Sequence, residues 1–114
     1  MDLKKNSVTD IYLINNGDKT IKLLPYFETP IEFQNRSLEP MLQCFPKFII
    51  LKPKEQKIVK LEFKRNEKLE FKKNEDYKSY IIFKELPTDS KSIQNEDTII
   101  LNEIGVGIIG QNSK

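Results

Sequence analysis

The sequence predicts an all-β chain folded as an antiparallel sandwich, and three observations carry that reading. Apolar and polar residues alternate in short runs, most clearly where Val59, Leu61 and Phe63 interleave with Ile58, Lys60 and Glu62. A period of two sends successive side chains to opposite faces of a strand. The runs are punctuated by turn-forming clusters, Asn15-Asn16-Gly17-Asp18, Lys52-Pro53-Lys54-Glu55 and the Asp/Ser/Asn-rich residues 88–97. These residue types tolerate unusual φ, fix it, or withhold a ladder donor. Counting the runs gives about seven strands with turns roughly every 8–12 residues, the pattern of an immunoglobulin-like sandwich. A chain of 114 residues holds one such domain and is too short for two.

Each element follows from its own residues. Residues 2–7 are polar and read as the tail of an earlier strand. In residues 8–14, Thr9, Ile11 and Leu13 share one face and Val8, Asp10, Tyr12 and Ile14 the other. Asn16-Gly17 then predicts a type I′ hairpin turn, which needs positive φ at both central residues. Residues 20–27 are the expected return strand, with Ile21 and Leu23 inward, Lys22 outward and Pro25 limiting how far central pairing extends. Residues 28–43 carry Pro30 and Pro40 among the isolated apolar residues Ile31, Phe33, Leu38 and Met41, and predict a connection with one short irregular strand.

Phe48-Ile49-Ile50-Leu51 is too short and too β-branched for a helix and forms its own strand. Pro53 at the first central position of a turn separates it from the strand over residues 58–63. Residues 64–76 are expected to cross the end of the sandwich, with Leu69 and Phe71 plugging the core. Residues 77–86 form a strand ended by Pro87, and residues 88–97 a loop. The last strand spans residues 98–109, where Gly105 and Gly107 predict a bulge, a bend or a close backbone approach.

Composition bounds the chemistry. There is no histidine and one cysteine, which removes imidazole acid–base catalysis, Cys–His pairs and most transition-metal sites. Cys44 stands beside Leu42 and Phe45 and is expected to be a buried, inert thiol. The carboxylates Glu67, Glu70, Glu75, Asp76, Glu85 and Glu103 show no spacing that pairs an acid with a base across a cleft. The glycines of IGVGIIG lie inside an apolar strand, not between a strand and a helix, so they make no phosphate loop. No enzyme activity, cofactor or metal is expected. Lys+Arg number 19 against Asp+Glu 17, a mixed surface with no basic block to follow a phosphate backbone, so nucleic acid is not an expected partner. No secretory leader and no apolar run of membrane-spanning length is present in this sequence.

Taken together, DIYLINNGD, FPKFIILKPKEQKIVKLEF, YKSYIIFKELP and IGVGIIG resemble, in order and spacing, the amino-terminal domain of the PapD-like periplasmic pilus chaperones. The Lys84-Glu85-Leu86-Pro87 ending is the most specific piece, and the resemblance covers residues 2–110. It implies a periplasmic chaperone-like domain that binds pilin-type protein subunits by β-strand complementation, lending its final strand to a subunit that lacks one. The corresponding partner-binding edge strand here carries Ile99, Ile100, Leu101, Ile104 and Val106. On it, Ile100, Ile104, Val106 and Ile108 are expected to face the domain's own core, and Ile99 and Leu101 the other side. The family anchors its subunit's carboxylate with an arginine and a lysine. The lysine position aligns with Gly105, and the arginine's strand is expected before Met1, leaving an edge open to self-association. The family's second sandwich domain has no counterpart in this sequence, which ends soon after Gly110. The NNGD and Leu-Lys-Pro segments also resemble major-sperm-protein-like and cilia-associated sandwiches, which imply instead a non-catalytic docking or scaffold domain.

Overall fold

Val59, Leu61 and Phe63 are sealed in the interior at 0, 5 and 0% exposure while Lys60 between them stays in water, so the two-residue alternation does set the inward face. The computed structural model describes residues 1–66, 68, 71–72, 74–87 and 103–111. Among these residues seven strands form: β1 (Ser7–Ile14), β2 (Ile21–Glu28), β3 (Leu42–Phe45), β4 (Ile49–Leu51), β5 (Gln56–Phe63), β6 (Asp76–Leu86) and β7 (Glu103–Gln111). They form two antiparallel sheets, ordered β1-β5-β3 and β4-β2-β6-β7. This is the immunoglobulin-like sandwich read from the sequence. Leu23, Ile49, Leu51, Ile81 and Phe83 from the larger sheet meet Val59, Leu61, Phe63, Leu42 and Cys44 from the smaller one in a single core.

The Asn-Gly hairpin is not there. β1 pairs with β5 in one sheet and β2 with β4 and β6 in the other, so the chain crosses between sheets at residues 15–20. Neither Asn16 nor Gly17 has positive φ. The reason lies in Asn15, which is buried. Its amide nitrogen donates to the carbonyls of Lys19 (2.7 Å) and Leu51 (3.1 Å), and its side-chain oxygen accepts from the Gly17 N–H at 2.9 Å. Its backbone N–H donates to Glu55 and its carbonyl accepts from Lys54. The side chain thus ties the end of β1 to the β4–β5 corner and supplies an Asx turn in place of a hairpin turn. That corner itself matches expectation. Pro53 occupies the first central position, Lys54 the second with φ 65°, and the Glu55 N–H closes onto Lys52 at 3.0 Å.

Pro25 limits pairing on one side only. The β2–β4 ladder stops at Leu23, while the β2–β6 ladder runs from Lys22 through Pro25 to Glu28, so the missing N–H falls where β4 has already ended. The connection after β2 contains two 3₁₀ turns, Ile31–Arg36 and Glu39–Met41, and its short strand, expected within residues 28–43, comes only at the end, where β3 begins at Leu42 and runs on to Phe45. It is seated by a polar cluster. Thr29 Oγ1 donates to the Glu39 carboxylate, and the Ser37 and Ser79 hydroxyls contact Thr29 Oγ1 at 2.7 and 2.8 Å. Since Thr29 has one proton to give, both serines act as donors to it, and their oxygens accept from the backbone N–H groups of Glu39 and Leu38. Ser79 is fully buried. Ser79→Ala therefore leaves the Leu38 N–H without its acceptor and should cost about 1–3 kcal/mol in urea unfolding. A variant as stable as the parent would mean the cluster does not seat this connection.

Phe71 packs on the core and meets Tyr77 edge to face with 4.9 Å between centroids, as expected of a plug; Leu69 lies outside the described residues. The Cys44 thiol is buried, and burial pushes its pKa up, the nearby Lys47 opposing in part. A thiol protonated more readily when folded contributes stability below its unfolded pKa, and that contribution fades as pH rises through the folded value. Labelling by a thiol reagent should accordingly follow global unfolding and be negligible in the native protein. Fast native labelling would place Cys44 at the surface.

Candidate functional site

Among the described residues, β7 is the outermost strand of the larger sheet. It pairs with β6 in unbroken register from Asp76–Gln111 to Lys84–Glu103. The glycines therefore make neither a bulge nor a bend. Gly105 and Gly107 lie on the sheet's outer face against Tyr80, whose ring would stand 3.5 Å from a Cβ at residue 107, so the aromatic side chain covers the space they leave. Lys78 reaches over the same ring, 5.0 Å from its centroid. Beside them on β2, partial loss of water and the carboxylates of Glu103 and Glu28 push the Tyr26 phenol up.

The inner face carries the site. Ile104, Val106 and Ile108 stand opposite Phe83, Ile81 and Ser79, all three of which are buried. Only Ile108 is itself covered. Ile104 is 54% and Val106 38% exposed, which corrects the expectation that both fill the domain's core. The side chains do point inward, but the smaller sheet does not reach over this part of β7. Sequence alternation reports the face a residue occupies, not whether the opposing layer extends that far.

At its far end β7 is covered. Met1–Leu3 lie alongside it, with a parallel bridge from Asp2 to Gln111, the terminal amine on Ile109 O at 3.2 Å and the Gln111 N–H on Met1 O at 3.1 Å. Leu3 is fully buried against Gly110, where a Cβ would fall inside van der Waals contact of the leucine. This is why residue 110 has no side chain. Among the described residues, no strand pairs with the free edge of residues 103–108. Of the partner-binding stretch read from the sequence, Ile104 and Val106 are therefore placed together on an open edge, and Ile99, Ile100 and Leu101 lie outside the described residues.

A cavity of about 480 Å³ opens near the covered end, lined by Asn35, Arg36, Met41, Phe71, Lys72 and Tyr77 among others. Arg36 is held by the Phe33 ring and by the Asp76 carbonyl. The isolated Arg36 and Lys72 gave no motif in the sequence, because the loop and the 3₁₀ turn that bring them together are far apart along it. Among the described residues, no group of three or more His, Cys, Asp and Glu side chains is placed to hold a metal, and no helix is long and apolar enough to cross a membrane.

No protein-family model matches the chain, and no curated protein matches it. Solved structures share its fold. The chaperone DraB of E. coli superposes with a TM-score of 0.70 at 10% identity, over 98% of this chain and 50% of that one. CsuC, from the CsuC–CsuE chaperone–tip adhesion subunit pre-assembly complex of Acinetobacter baumannii, gives 0.65 at 12% identity over 93% and 45%. The ASH/PapD-like domain 7 of human CEP192 gives 0.63 at 15% identity over 95% and 72%. The chain thus has the PapD-like fold and spans about half the length of the chaperones it matches.

Proposed function

We propose that this domain is a non-catalytic, periplasmic chaperone-like module that binds a pilin-type protein subunit by strand addition along the free edge of β7. The observation that carries this reading is the pair Ile104 and Val106, spaced by two and exposed on the inner face of an edge to which, among the described residues, no other strand pairs. A strand added there gains backbone hydrogen bonds, while the two side chains enter its apolar groove. Both are already partly covered, so burying what remains exposed of each contributes on the order of 1 kcal/mol. The CsuC–CsuE complex, a chaperone with its tip adhesion subunit, supports the partner class. At Gly105, the position aligned with the family's anchoring lysine, there is no charge. Affinity should therefore respond weakly to salt, in contrast to an ion-paired anchor.

The test is titration calorimetry with a pilin-type subunit whose own sandwich is incomplete. The parent should bind, and Ile104→Asp with Val106→Asp should abolish binding while leaving the circular dichroism spectrum intact. The likeness to the CEP192 domain, which is matched over a larger share of its length, favours a second reading as a docking module for another protein. Binding of the subunit that survives both substitutions, or no binding by the parent, would favour that reading.

A further inference from the structure

We infer that β1 is a second pairing edge, separate from β7, and that its occupant is a second copy of this chain joined antiparallel about Ile11. Among the described residues β1 pairs with β5 alone, and none of its backbone groups bonds to the loops or termini beyond that ladder. Half of its N–H and C=O groups therefore face outward in a row. Natural sheets protect such edges by shortness, lysine, proline or a bulge. β3 and β4, at four and three residues, are protected by shortness. β1 is eight residues, SVTDIYLI, with no lysine, proline or glycine and an unbroken register. Three of the four side chains on its outer face are apolar as well, Asp10 being the exception. Val8, Tyr12 and Ile14 are 58, 61 and 55% exposed, and Ile58 beside them on β5 is 44% exposed.

Charge and the matching of side chains select the register of that second copy. The one ionic group on β1, Asp10, is engaged by Lys60 of its own chain at 3.0 Å. Two copies related by a twofold axis normal to the sheet pair residues of the same face. With the axis at Asp10 the two carboxylates stand opposite each other, which is unfavourable. With the axis at Tyr12, Asp10 faces Ile14 and Val8 overhangs the strand. Centred on Ile11, Val8 meets Ile14 twice, Thr9 meets Leu13 twice, and each Asp10 meets the second copy's Tyr12. Every residue from 8 to 14 is then paired, and two three-stranded sheets become one of six strands.

Sedimentation equilibrium on the full chain, from micromolar to millimolar concentration, tests this. The parent should form a concentration-dependent dimer. Tyr12→Asp sets a carboxylate opposite Asp10 and should weaken the dimer about tenfold or more, whereas Tyr12→Lys sets an ammonium there and should hold or tighten it. Tyr12 is exposed, so both variants should fold. Oxidising a mixture of Val8→Cys and Ile14→Cys chains should cross-link one variant to the other and neither to itself. A parent monomeric throughout, equal loss of the dimer in Tyr12→Asp and Tyr12→Lys, or self-cross-linking of either cysteine variant would overturn the proposal.

Discussion

Leu61→Asp should leave the domain unfolded at room temperature. Leu61 sits on the central strand of the smaller sheet, opposite Thr9 on one side and Cys44 on the other, and is 5% exposed. An unpaired carboxylate there costs several kcal/mol, against a total stability of about 5–15 kcal/mol for a domain of this kind. Its neighbour gives the control. Lys60→Gln removes only an exposed ion pair with Asp10 and should change stability by no more than about 1 kcal/mol. Lys60→Asp would be a poorer control, since it sets two carboxylates directly opposite each other. Thermal melts that find Leu61→Asp and Lys60→Gln equally harmful would reverse the assignment of inner and outer faces.

The second large effect is expected at Gly110→Val. The new side chain would occupy the volume that Leu3 fills, and Leu3 has no exposed side on which to yield. Expelling it should cost about 1.5–3 kcal/mol of burial and release Met1–Leu3 from β7. Exchange of the Gln111 amide, which donates to Met1, should accelerate. Leu3→Ala makes room for the valine, so the double variant should be less destabilised than the sum of the two single changes. Strict additivity would mean that the two residues do not compete for this space.

How much of this was legible in the sequence depended on whether one segment sufficed to decide it. The strands at residues 58–63 and 77–86 and the corner at Pro53 were readable because alternation and proline act locally. The crossing at Asn15 was not. Its side chain is satisfied by the carbonyl of Leu51 and its backbone by residues 54 and 55, partners that no local pattern names. Asn-Gly permits a type I′ turn but does not require one. The candidate site divides in the same way. Ile104 and Val106 were marked as edge residues by their place in the last apolar run, yet their exposure depends on how far the opposing sheet extends. Gly110 looked like one glycine of three in that run, and only the return of Leu3 across β7 explains it.

Whether β7 offers its free edge to a partner is tested most directly by amide exchange along residues 103–108. In the isolated domain, amides directed at β6 should be protected and those directed outward should exchange rapidly. Addition of a pilin-type subunit should slow the outward set, and the Ile104→Asp, Val106→Asp variant should show no such slowing. Outward amides already protected in the isolated domain, or a bound subunit that leaves them fast, would contradict strand addition at this edge.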